Sequence, residues 1–159
     1  KIDQPDADTE RKILKLVRTE QRETKEQDPA WQEFSKTVGK IAVEDILTAR
    51  REVLSMHVSE SLEEYLVQLI VATRKPEKYD ASLRDKILFG ASPRATIALD
   101  KCAKINAWLD GRDFVTPEDI HAVIYDVLRH RIILSFEAQA DGLTTDDIIA
   151  SLLKTVPLP

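Results

Sequence analysis

A chain of 159 residues, 43% hydrophobic and 32% charged, is long enough to bury a core of its own, and its four glycines favour helices over a sheet dense in tight turns. The formal net charge of -5 argues against nucleic acid or an anionic membrane as the main partner, since both reward clustered Lys and Arg, and no apolar run approaches the roughly 20 residues that cross a bilayer. One cysteine excludes an internal disulfide and suits a reducing, cytoplasmic setting.

The chain opens at Lys1-Ile2-Asp3 with neither an initiator methionine nor a signal-peptide pattern, and so reads as a piece of something longer. Pro5 is expected to begin a helix with Asp6, Asp8 and Glu10 in or near its first turn, where the macrodipole favours acids, and with Ile13, Leu14 and Val17 on an apolar face. From Arg18 to Asp28 nothing is both large and apolar, and the alternating charges read as an exposed helical extension or a mobile segment. After Pro29, Trp31, Phe34 and Val38 recur at helical spacing before Gly39.

Val43 to Met56 reads as a helix with Ile46, Leu47, Val53 and Leu54 inward, and His57-Val58 as a short extended break. Ser59 or Ser61 then caps a helix carrying Leu62, Tyr65, Leu66, Leu69, Ile70 and Thr73, with Ser61 and Glu64 at capping-box spacing. Pro76 ends it, and residues 75–90 form the main loop, anchored by Tyr79 and Leu88-Phe89. The next helix starts at Ser92 with Ala95, Ala98, Cys102, Ile105 and Leu109 on one side and stops at Gly111; Cys102 reads as core filler. Thr116-Pro117-Glu118-Asp119 starts another, which sends Ile120, Val123, Ile124, Val127 and Leu128 inward and ends in Arg129-His130-Arg131. Ile132 to Phe136 reads equally as a short strand or a continued helix. A last helix follows Thr144 with Ile148, Ile149, Leu152 and Leu153. The fold expected is all-α, a bundle of about five to six helices with a short extended segment near residues 131–136. Residues 1–40 would form a leading helix and variable segment, and 41–159 the helical domain proper.

Gly90-Ala91-Ser92-Pro93-Arg94-Ala95 is the most informative stretch. Ser92 is a good N-cap, its hydroxyl able to accept from a first-turn amide, and Pro93 suits the first helical position. Arg94 then stands in the first turn with no acid beside it, working against the macrodipole, an arrangement best completed by an anion such as phosphate. The plain alternative is a solvated surface arginine behind a good helix start. The three histidines lack the i, i+4 spacing of a metal pair, so no metal site is expected. Asp146-Asp147 reads as helix-start chemistry, and the pattern G-x-x-x-x-G-K-[ST] is absent, so this chain by itself should hydrolyse nothing.

A chain that aims an arginine at phosphate without a phosphate loop resembles the C-terminal helical lid of an AAA+ ATPase. Several stretches in order sharpen this to a resemblance to the MoxR family: Ile2-Asp3 with Pro5-Asp6; Arg50-Arg51-Glu52-Val53 and His57-Val58; Ala72-Thr73-Arg74; Gly90 to Ala95; Leu109 to Ile120; Val127 to Arg131; and Val156-Pro157. It covers most of residues 41–159, whereas Glu20 to Lys40 matches nothing in the pattern.

The resemblance implies that Arg94 is the sensor-2 residue, a catalytic group that senses the γ-phosphate, with Ser92, Arg94 and Ala95 at the nucleotide. It implies ATP and Mg2+ in the full-length parent and no cofactor on the isolated chain. Implied partners are an AAA+ core in the same polypeptide, neighbouring subunits of a ring, and proteins with a von Willebrand factor A domain. Arg74 and Arg112 each end a helix, where the dipole favours a cation without any ligand. The rival reading is a free-standing helical adaptor that binds a partner protein through its exposed faces.

Overall fold

The computed structural model describes residues 6–20 and 41–158. Pro5, the charged stretch after Glu20 and the Trp31, Phe34, Val38 series lie outside the described residues. The chain divides between Ile46 and Leu47 into two compact units. In the first, α1 (Ala7–Glu20) starts on Asp6, whose carboxylate accepts the Thr9 N–H at 2.8 Å. Its apolar residues Ile13, Leu14 and Val17 are all exposed.

Helix α2 (Val43–Ser55) has no buried residue. Ile46, Leu47 and Leu54 are exposed and only Val53 is half-buried, contrary to the inward face expected from their spacing. Periodicity reports an apolar stripe but not what covers it.

The core of the second unit is built by α3 (Glu60–Ala72), α4 (Pro93–Leu109), α5 (Pro117–Leu128) and α7 (Thr145–Thr155). Leu62, Tyr65, Leu66, Leu69 and Ile70 of α3 are buried as expected. Its N-cap is Ser59, which accepts the Leu62 N–H; Ser61 lies inside the first turn, so the Ser61–Glu64 box does not form. Helix α4 packs most extensively on α5. Its buried stripe is Ala95, Leu99, Ala103 and Ala107, one i, i+4 row of mostly small side chains that lets two helices approach closely. Ala98 and Cys102 flank this row half-buried, while Ile105 and Leu109 face solvent, so the expected face is rotated from the real one. The Arg112 N–H on the Ala107 carbonyl and the Gly111 N–H on that of Trp108 close a Schellman turn, with Gly111 at φ +75° as its expected C-cap role requires.

Two short extended pieces brace the helices. His57 and Phe114 form a parallel bridge, with the His57 N–H on the Asp113 carbonyl (3.0 Å) and the Val115 N–H on that of His57 (3.0 Å). Strand β1 (Ile87–Phe89) pairs antiparallel with β2 (Ile133–Leu134), which decides the Ile132–Phe136 ambiguity in favour of a strand, followed by the short helix α6 (Phe136–Ala140). Leu88 and Phe89 are exposed; of the expected anchors Tyr79 packs half-buried against the core, together with buried Leu83 and Pro76. The described residues thus hold seven α-helices, more than the expected five to six because of the small α6, and the architecture is the all-α bundle that the sequence implies. No described helix is long and apolar enough to cross a membrane.

Candidate functional site: the start of helix α4

Strand β1 delivers the chain to Gly90, which runs against the end of α3. A Cβ on Gly90 would lie 2.3 Å from the Thr73 carbonyl oxygen, 2.6 Å from its carbon and 2.9 Å from the Arg74 nitrogen, so only glycine allows this approach. Ala91 is buried and held from both sides. Its N–H donates to the Thr73 hydroxyl oxygen (2.9 Å), and its carbonyl accepts from Arg74 Nε (2.6 Å). Thr73 is fully buried, and its hydroxyl donates onward to the Ile70 carbonyl (2.7 Å), which fixes the oxygen lone pair toward Ala91. Sequence reasoning treated Arg74 as a cation satisfied by the dipole alone; in the structure it is one jaw of a clamp. The available signal was the pair of motifs Ala72-Thr73-Arg74 and Gly90-Ala91, which the fold brings together.

Ser92 follows at the N-cap with extended backbone (φ -78°, ψ 168°), but its hydroxyl caps nothing. The Ala95 N–H donates to the carbonyl of Ser92 at 2.8 Å. Ser92, Pro93 and Arg94 are exposed, whereas Ala95 is fully buried, so its methyl packs in the core and only its backbone lies at the helix start. Arg94 makes no hydrogen bond or ion pair among the described residues, and the first turn holds no acid. Its amide is among the donors that a helix start leaves without an internal partner. Guanidinium and amide together suit an anion and offer nothing to a cation.

Arg112 is a different kind of arginine. It forks onto the carboxylate of Asp119 (2.7 and 2.6 Å) and also reaches Asp110 (3.0 Å), which corrects the expectation that it needs no ligand. Asp119 is 1% exposed and further accepts from Asn106 Nδ2 (2.8 Å) and the Thr116 N–H (2.8 Å). Burial alone would raise its pKa, but the Arg112 guanidinium and these donors outweigh burial and hold the carboxyl well below the usual range. Asp119 was expected only as a first-turn acid; it is the anchor that joins the α4–α5 turn. Arg129 similarly grips Asp146 with two bonds (2.7 and 3.1 Å), which lowers the pKa of that carboxyl, while Asp147 accepts the Thr144 N–H (2.9 Å) at the start of α7. Both acids are spent on structure.

The histidines stay apart: His57 in the β-bridge, His121 bonded to the buried Tyr65 hydroxyl (2.8 Å), and His130 exposed. Among the described residues no group of three His, Cys, Asp or Glu could hold a metal ion. The exposed donors at Arg94 suit a phosphate oxygen.

The family described as AAA lid domain matches residues 81–152, a span that contains the whole α4 start. Chaperone MoxR1 of Mycobacterium tuberculosis is 39% identical over 116 residues, 72% of this chain and 31% of that protein. Protein MoxR of Methylorubrum extorquens is 42% identical over 72 residues, 44% of this chain and 21% of that one. A crystal structure of a Cytophaga hutchinsonii protein named as a candidate ATPase superposes with a TM-score of 0.76 at 37% identity, covering 99% of this chain and 45% of that chain. The chain thus spans less than half the length of each of these relatives. With the motif order, the helical architecture and these matches in agreement, the chain belongs to the MoxR family of AAA+ ATPases, as its helical lid.

Proposed function

We propose that this lid closes on the ATP site of a MoxR-like ATPase and supplies Arg94 as the group that senses the γ-phosphate. The observation that carries the reading is an exposed arginine with no hydrogen-bond or ion-pair partner among the described residues, on a helix start tied by Gly90 and Ala91 to the end of α3. A cation in that position opposes the macrodipole, at about 0.3–1 kcal/mol when exposed, and a phosphate oxygen would turn that cost into attraction. Arg94 would bind and orient the phosphate, and Ser92 and the Ala95 backbone would border it. ATP and Mg2+ would be held mainly by a core elsewhere in the full-length protein, and ATP supplies the phosphoryl group that is transferred to water. The isolated lid should turn over no ATP.

Coupling follows from position: Arg94 transmits the nucleotide state to the lid, and lid movement drives remodelling or activation of partner proteins in a cytoplasmic ring, with von Willebrand factor A domain proteins as candidate clients. The direct test compares ATP with ADP affinity in full-length Arg94→Ala. Wild type is expected to discriminate between the two nucleotides; loss of that discrimination in the variant supports sensing, and an unchanged ratio overturns it. Mixing Arg94→Ala subunits with subunits defective only in the phosphate loop then tells which site the arginine serves, restored turnover meaning a neighbour's.

A second reading has one observation in its favour. Val53, Leu54, Ile105 and Trp108 line an open apolar groove beside Arg50 and Lys101, with the Trp108 indole fixed by Glu52 (2.8 Å), a surface that an adaptor would use. An isolated chain that captures a defined partner at this groove, with Arg94→Ala silent in the full-length protein, would favour it.

A further inference from the structure

We infer that Thr73 and Arg74 are positioning residues for Arg94, acting through the backbone of Ala91; this rests on the sensing role proposed above. Three independent contacts converge on two residues. Gly90 abuts the Thr73 carbonyl so closely that a single methyl group is excluded, the Ala91 N–H ends on the Thr73 hydroxyl, and the Ala91 carbonyl ends on Arg74 Nε. Ala91 is joined directly to the N-cap Ser92, and Arg94 stands two residues further, in the first turn. Arg94 makes no hydrogen bond or ion pair among the described residues, so the origin of its side chain is set by where the helix begins. Thr73 is the C-cap of α3 and Arg74 the residue after it, so the clamp ties the end of one core helix to the start of another. Any displacement of α3 is carried to the sensing arginine through two hydrogen bonds and one backbone contact.

Thr73 needs its hydroxyl in a defined orientation, because the same oxygen donates to Ile70 and accepts from Ala91. Serine can do both; valine can do neither. Arg74 is exposed and contributes one donor, so Arg74→Met keeps the aliphatic stem, removes the bond and leaves the core untouched.

The test uses the full-length protein with Arg74→Met, Thr73→Val, Thr73→Ser, Arg94→Ala and the double variant Arg74→Met/Arg94→Ala, each checked by thermal melting. A misplacement of about 1 Å at a catalytic group can cost on the order of 100-fold, so Arg74→Met and Thr73→Val should lower kcat by roughly 10- to 100-fold with KM for ATP little changed. Thr73→Ser should restore turnover. Because the clamp acts through Arg94, adding Arg74→Met to Arg94→Ala should cost nothing further, a non-additivity that a merely structural loss would not produce. Slow Arg94→Ala beside normal Arg74→Met, or fully additive losses in the double variant, would overturn the positioning role and leave sensing intact. Wild-type turnover in Arg94→Ala would instead sink the sensing reading itself, and positioning with it. If Thr73→Val fails to fold, Arg74→Met alone carries the decision, and amide exchange at Ala91, expected to quicken in that variant, checks that the clamp was opened.

Discussion

Gly90→Ala should be the most damaging single methyl addition among the glycines of this domain. The new Cβ would meet Thr73 O at 2.3 Å, Thr73 C at 2.6 Å and Arg74 N at 2.9 Å, all backbone atoms that cannot rotate aside. Relief requires β1 and the end of α3 to part. Overpacking of this kind costs about 1–3 kcal/mol. Parting also weakens the two hydrogen bonds on Ala91, a neutral one worth about 0.5–1.5 kcal/mol and one from a charged donor worth about 1.5–3 kcal/mol. Discounting the second because Arg74 is exposed, the sum is about 2–5 kcal/mol. At about 3–5 °C per kcal/mol for a domain of this size, the melting temperature should fall by roughly 6–25 °C. Gly142→Ala is the control, since a Cβ there meets nothing within 4 Å and the strain comes only from φ +79°, at about 1–2 kcal/mol. Urea and thermal unfolding of the chain measure both. A Gly90→Ala melt within about 1 °C of wild type, or a loss no larger than that of Gly142→Ala, would refute the close-approach reasoning.

Three further outcomes follow from the packing and the charges. Leu99→Ala, fully buried on α4, should cost about 2–5 kcal/mol, while Leu109→Ala, 70% exposed, should stay within about 0.5 kcal/mol; chemical denaturation reads both, and the reverse order would restore the rotated helix face. The carboxyl of Asp119 titrates lower in the folded chain than in the unfolded one, so its contribution is fully present above the unfolded pKa of about 3.9 and is lost as pH falls below that toward the folded value. Urea titrations from pH 7 to pH 3 should therefore show a shallower acid loss in Asp119→Asn, which begins less stable at pH 7; parallel slopes would remove Asp119 from the acid-sensitive set. Cys102→Ala, half-buried beside the core, should cost on the order of 1 kcal/mol and leave turnover of the full-length protein unchanged; a selective loss of turnover with an unaltered melt would contradict its role as filler.

What could be read from the chain alone was local chemistry. Gly111 closing α4, Ser92-Pro93 opening it, and Thr116 with Asp119 opening α5 each depend on residues a turn apart, and the structure reproduces all three helix boundaries. The Ser92 hydroxyl departs from its part, making no cap hydrogen bond although the residue stands at the N-cap with extended backbone. The α4 face is hard to read because three of its four buried residues are alanines, which hydrophobicity ranks below the exposed Ile105 and Leu109. Leu88-Phe89 and the α2 residues were drawn inward by the same bias, since apolar character alone does not say whether this unit or another surface buries a side chain. The contacts that shape the candidate site, Thr73 and Arg74 with Ala91 and Arg112 with Asp119, join residues from different elements, so no periodicity announces them.

The most direct test of the central claim is the ATP turnover number of the full-length protein carrying Arg94→Ala, measured at saturating ATP beside a matched melting curve. Arg94 has no protein partner among the described residues, so the melt should be unchanged or rise slightly as an unfavourable charge leaves the helix start. Arginine fingers at phosphoryl-transfer sites are worth about 10³–10⁵ in rate, and a sensing arginine is expected to be worth less, so turnover should fall by at least roughly tenfold. Wild-type turnover from the variant under saturating nucleotide would contradict the assignment of Arg94 and leave the exposed helix faces as the functional surface.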